Sequence, residues 1–143
     1  MKTEADWVAV LGGVELFAGL PEKALRRIAR QVKEMHFAAG SVILEEDSGG
    51  GFGRMYVVLE GSAKAEVDGT PVGEYRPGDH FGEMSLLDGG PRSATVTAIS
   101  DLSLAGLASW NLRPILMEEP SIAIHLIEVL AQRLREANRR GGD

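Results

Sequence analysis

The stretch from Phe81 to Val96, FGEMSLLDGGPRSATV, places a glycine and an acid ahead of a short apolar run, then uses Asp88-Gly89-Gly90-Pro91 to deliver an arginine into a strand. A phosphate diester is held by backbone N–H groups aimed at its oxygens and by a bidentate cation. A helical turn starting at Gly82 offers the first, because glycine lets the backbone come close and Glu83, Met84, Ser85 and Leu86 then present N–H groups at the positive end of the turn. Arg92 offers the second, and Pro91 restricts how the chain enters that position. Glu83 at first looks out of place, since a carboxylate repels a bare anion. It fits if it points past the phosphate and accepts a hydrogen bond from a sugar hydroxyl, so the pattern selects a sugar-phosphate.

Outward from this stretch the hydrophobic period is two. In SAKAEV, Ala63, Ala65 and Val67 face one way and Ser62, Lys64 and Glu66 the other; in SATVTAIS, Ala94, Val96 and Ala98 point inward. Asp68-Gly69-Thr70 reads as a hairpin turn and Arg76-Pro77-Gly78-Asp79 as another. From about residue 34 to 108 the chain therefore reads as short antiparallel strands closing into a small barrel or roll.

Helices are expected on either side. PEKALRRIARQV, residues 21–32, spaces Leu25, Ile28, Ala29 and Val32 at i, i+3, i+4 and i+7, with Lys23, Arg26, Arg27 and Arg30 on a solvated face. After the strands, Ser109 is a candidate N-cap, and Pro114 implies that the first C-terminal helix starts near Arg113 or kinks. The last helix runs from Pro120 toward Arg139 and carries two apolar stripes, Ile127, Leu130 and Leu134 beside Ile122, Leu126 and Val129. A surface that wide wants two partners, one of which could be a second subunit.

The chain has 143 residues, enough for one domain and one site. The expected division is an N-terminal helical part over about 1–33, a roll over about 34–108 and C-terminal helices over about 109–140, all one domain. A formal charge of −6 argues against direct nucleic-acid binding, which needs a basic footprint. Without cysteine there is no disulfide, thiolate nucleophile or cysteine metal site. The N-terminus, with Glu4 and Asp6 before a broken apolar run, is unlike a secretory signal, and nothing suggests membrane insertion. The expected location is the cytoplasm.

The 81–96 stretch resembles the phosphate-binding cassette of cyclic nucleotide-binding domains, F-G-E-x-x-L-L…R-[STA]-A-T, and YVVLEG ending at Gly61 and PGDHFGE before the cassette agree with it. The resemblance implies an α+β fold, an antiparallel eight-stranded β-roll of the jelly-roll type with a helix before it and lid helices after it. It assigns the ribose 2′-hydroxyl to Glu83, the cyclic phosphate to Arg92, and the rest of the phosphate cradle to backbone groups from Gly82 through Met84 to Ser85, with Ser93. The base would be capped by Leu126, Leu130, Arg133 or Leu134. A hydroxyl at Ser93 can serve either cyclic GMP or cyclic AMP; cyclic AMP is the expected ligand, with no cofactor and no metal. The implied function is a non-catalytic sensor that signals to an effector protein or through a homodimer of the last helix, either alone or as part of a longer chain.

Competing signals are weaker. DSGGGFG, residues 47–53, looks like a nucleotide loop but lacks Lys-Ser/Thr and leads into a strand, so it is read as a hairpin connection. His36, His80 and His125 form no His-x-His pair, which counts against a cupin-like metalloenzyme; they are read as two strand residues and a helix residue. Met84, Leu86 and Leu87 could touch the ligand but are expected in the core, and Trp7 and Trp110 could stack on the base but are expected to pack between helices and roll. A structural or protein-interaction domain that has lost its ligand is the remaining alternative, and Glu83 with Arg92 speaks against it.

Overall fold

A computed structural model describes residues 2–48 and 53–141. Eight strands form two four-stranded antiparallel sheets: β1 (Lys33–Phe37), β2 (Val42–Leu44), β3 (Arg54–Glu60), β4 (Ala63–Val67), β5 (Thr70–Tyr75), β6 (His80–Phe81), β7 (Thr95–Ala98) and β8 (Leu102–Ala108). One sheet has the order β1-β8-β3-β6 and the other β2-β7-β4-β5. Apart from the β4–β5 hairpin, consecutive strands are thus divided between the sheets, as in an eight-stranded roll. The inward side chains interleave into one core that includes Tyr56, Val58, Ala65, Phe81, Val96 and Leu104. The two-residue alternation sorts correctly here: Ala63, Ala65, Val96 and Ala98 are buried, while Val67 and Ala94 are half-buried.

The chain folds into two compact units, residues 31–112 and residues 1–30 with 113–143. The roll unit contains a short helix between β6 and β7, α3 (Glu83–Asp88). The hairpin from β4 to β5 turns on Asp68 and Gly69, whose φ values of 51° and 76° are those of a type I′ turn. A Cβ on Gly69 would meet nothing within 4 Å, so Gly69→Ala is expected to cost only the left-handed backbone penalty, about 1–2 kcal/mol. Urea unfolding measures it, and a neutral substitution would refute the turn assignment.

The helical unit begins with α1 (Glu4–Gly12), a helix formed where the sequence pattern shows only a broken apolar run. Its start is a capping box: Asp6 N–H donates to Thr3 Oγ1, and the Asp6 carboxylate accepts from Thr3 N–H at 2.7 Å. The bond from Thr3 N–H, with a second that the Thr3 hydroxyl donates to the same carboxylate at 3.1 Å, holds the exposed Asp6 carboxyl below its usual range. The second helix, α2, spans Glu22–Ala29 and is shorter than the expected 21–32, because Lys33 already pairs with Gly106 in the sheet. Its basic face is solvated and paired: Arg26 with Glu22, Arg27 with Glu118 and Glu119, Arg30 with Glu4.

Of the two alternatives for the first C-terminal helix, a start near Arg113 or a kink at Pro114, the first is corrected: α4 spans Ser109–Glu118, with Pro114 inside it, and begins at the residue read as a candidate cap. A tertiary anchor sets the start, since Ser109 N–H donates to the Gly53 carbonyl at 2.8 Å and its hydroxyl accepts from Gly53 N–H at 3.2 Å. The last helix, α5, covers Pro120–Arg140. Ile122 and Leu126 are buried and Val129 is half-buried, whereas Ile127 and Leu134 of the other stripe are 63% and 62% exposed. Among the described residues no helix is long and apolar enough to cross a membrane.

Candidate functional site

Gly82 decides the geometry of the site. At φ 87°, ψ 6° it takes a left-handed conformation that turns the chain from β6 directly into α3. The first backbone bond of α3 runs from Leu86 N–H to the Gly82 carbonyl at 3.2 Å, so the N–H groups of Glu83, Met84 and Ser85 lie ahead of it at the positive helix end. The far end closes on Gly89, also left-handed at φ 69°, and Gly90 N–H donates to Asp88 Oδ1 at 2.7 Å. Asp88 to Pro91 is therefore the turn that the sequence suggests. Ser85 is buried and its hydroxyl donates to the Gly90 carbonyl at 2.9 Å, which ties the turn to the helix and leaves only its backbone for any ligand.

The turn returns Arg92 over the helix start. Its backbone is held on both sides, donating to the Ser48 carbonyl at 3.0 Å and accepting from Asp47 N–H at 2.9 Å. Its half-buried guanidinium donates through Nη1 to the Arg54 carbonyl at 3.0 Å and to the Gly82 carbonyl at 3.5 Å. Burial lowers its pKa from the usual arginine value, with Tyr56 opposing the shift. A partly desolvated cation held by neutral carbonyls is a ready partner for an anion.

Glu83, Arg92 and Ser93 line one cavity of about 320 Å³, together with Tyr75, Phe81 and Val96. That volume lies within the range of small-molecule sites. The Tyr75 and Phe81 rings stack at 4.8 Å on its wall. Tyr75 titrates above its usual value because it is buried, and because Glu83 and Asp79 place negative charge near it. The core expectation for Met84 is corrected: it is 66% exposed and lines the cavity, whereas Leu86 is buried and Leu87 half-buried. A six-residue helix can bury only the face turned to β3, and Met84 lies on the other.

The four capping candidates belong to the helical unit. Leu126 is buried, Leu130 and Arg133 are half-buried, Leu134 is exposed, and Arg133 is ion-paired with Glu15. The loop expectation for residues 47–53 falls largely on residues 49–52, outside the described residues. His36 and His80 are strand residues and His125 is helical, its Nε2 donating to the Ala18 carbonyl at 2.8 Å. Among the described residues no group of three His, Cys, Asp or Glu side chains could hold a metal ion. Trp110 is 45% exposed, with the Arg54 guanidinium 4.9 Å above its ring.

Two features of the site are not evident from sequence patterns. His80 Nδ1 lies 3.1 Å from Glu83 Oε2, a pairing hinted at only by their spacing of three across Phe81 and Gly82. Gly53 lies so close to α3 that a Cβ there would sit 2.6–2.8 Å from Ser85 atoms, a constraint between chain segments that no local motif announces.

Comparison with known proteins bears on the same residues. The family model described as Cyclic nucleotide-binding domain matches residues 34–119. The chain is similar to the CRP-like cAMP-activated global transcriptional regulator of Mycobacterium tuberculosis, 30% identical over 142 residues, covering 94% of this chain and 61% of that protein. It is 39% identical over 102 residues to the cAMP-dependent protein kinase regulatory subunit of Aspergillus fumigatus, covering 69% of this chain and 24% of that one. Among solved structures, the N-terminal domain of a transcriptional regulator from Streptomyces coelicolor matches with a TM-score of 0.81 at 34% identity, over 92% of this chain and 94% of that one. The chain thus spans less than two thirds of the length of the two full-length relatives.

Proposed function

Because the chain belongs to the cyclic nucleotide-binding domain family, we propose that it is a non-catalytic sensor module that binds cyclic AMP in preference to cyclic GMP. The observation that carries this reading is that Glu83 and Arg92 line a single cavity at the start of α3. Glu83 accepts from the ribose 2′-hydroxyl, Arg92 pairs with the cyclic phosphate, and the N–H groups from Gly82 to Ser85, with Ser93, complete the cradle. The base is capped by α5 through Leu126, Leu130, Arg133 or Leu134, and the two compact units act as one domain. Capping transmits a signal only if ligand binds the capped state more tightly than the open one.

The output passes to an effector or through a homodimer. The exposed stripe of Ile127 and Leu134 on α5 supports the dimer. The charge argument against nucleic acid gains no support from the relatives, two of which are named transcriptional regulators. It concerns these 143 residues and not an effector carried elsewhere.

Calorimetric titration with both nucleotides tests the reading. Micromolar or tighter binding is expected, about −8 kcal/mol, with cyclic AMP the tighter ligand. A folded protein that gives no heat with either would favour an interaction domain instead. Light scattering on the same samples checks the dimer, which a monomeric mass with and without nucleotide would remove.

A further inference from the structure

His80 and Glu83 face each other across the left-handed turn at Gly82. The imidazole Nδ1 is 3.1 Å from Glu83 Oε2 and 3.2 Å from Oε1, and the two side chains are only 23% and 14% exposed. Both residues line the cavity. An ionised carboxylate can only accept, so the nitrogen in this contact carries its proton, whether the ring is neutral or cationic. A glutamate side chain otherwise carries large rotamer freedom, and holding it before ligand arrives removes that ordering cost from binding.

We propose that His80 is a positioning residue that fixes the Glu83 carboxylate toward the ligand, and so sets how strongly the site discriminates a ribose 2′-hydroxyl from its absence. The inference rests on the proposed role of Glu83 as the acceptor of that hydroxyl. Glu83 also acts electrostatically on Tyr75, which lines the same cavity. His80 presents an N–H in contact with both carboxylate oxygens.

The test compares cyclic AMP with 2′-deoxy cyclic AMP on the unaltered chain, His80→Asn and His80→Leu. Asparagine keeps an N–H donor near the position of Nδ1, and leucine has nearly its shape without the donor. The unaltered chain should favour cyclic AMP. His80→Leu should bind cyclic AMP roughly five- to twentyfold more weakly with little change toward the deoxy analogue, and His80→Asn should recover most of the difference. A merely structural role would weaken both ligands alike. His80→Ala supplies the same ratio should leucine disturb β6. A discrimination ratio in the donor-free variants equal to that of the unaltered chain overturns the positioning role and leaves the Glu83 assignment standing. Equal affinity of the unaltered chain for the two nucleotides, or binding of neither, overturns both.

Discussion

Arg92→Ala is expected to weaken cyclic nucleotide binding by about 2–4 kcal/mol, roughly thirtyfold to a thousandfold. The guanidinium is half-buried and already partly stripped of water, so an arriving phosphate meets a cation part of whose desolvation is already done. Two backbone carbonyls, of Arg54 and Gly82, accept from its Nη1. Gly82 lines the cavity, where water can replace the lost donor, so the fold should suffer less than the affinity. Arg92→Lys separates charge from geometry, since an ammonium keeps the sign and loses the two-pronged fork. Calorimetric titration, with a thermal melt to verify folding, gives both quantities. If Arg92→Ala binds within threefold of the unaltered chain, Arg92 is not the phosphate partner.

What can be read in advance follows from where the controlling forces lie. The strands around Ala63 and Val96 are legible because a one-sided core imposes an alternation that the residues themselves carry. The turn from Asp88 to Pro91 is legible because glycine and aspartate have local reasons to be there. The start of α4 is only half legible: Ser109 stands out as a cap candidate while Pro114 pulls the local pattern toward a later start, and the hydrogen bonds that fix Ser109 come from Gly53, a residue far away in sequence. The signal for α1 is present, because Thr3 and Asp6 have the spacing of a capping box, but the pair precedes a run with weak helical periodicity. Within the site, Glu83 and Arg92 are visible as chemistry, yet Met84 is exposed where the core was expected, because apolar character does not tell which face a short helix turns inward. The contact of His80 with Glu83 depends on the left-handed turn between them, which only the folded backbone displays.

That turn carries the second large effect. Gly82→Ala is expected to destabilise the fold by roughly 2–5 kcal/mol and to abolish measurable nucleotide binding. The left-handed φ of 87° is one part of the cost, equivalent to that at Gly69. The other part is steric: a Cβ on Gly82 would lie 2.6 Å from the Arg54 carbonyl oxygen and 2.9 Å from Arg92 Nη1. The arginine tip can swing away, but a backbone oxygen in β3 cannot, so either β3 or the start of α3 must move. Either movement separates the Arg54 carbonyl from the guanidinium it now receives, and shifts the N–H groups that open α3. The binding loss therefore has two causes, a displaced cation and a displaced cradle, both arising from one methyl group. Gly69→Ala is the control, because it shares the backbone penalty and meets nothing. Urea unfolding of the two variants should show Gly82→Ala the more damaging by at least the overpacking part, about 1–3 kcal/mol. Equal losses would mean that the close approach of Gly82 to β3 is not what shapes the site.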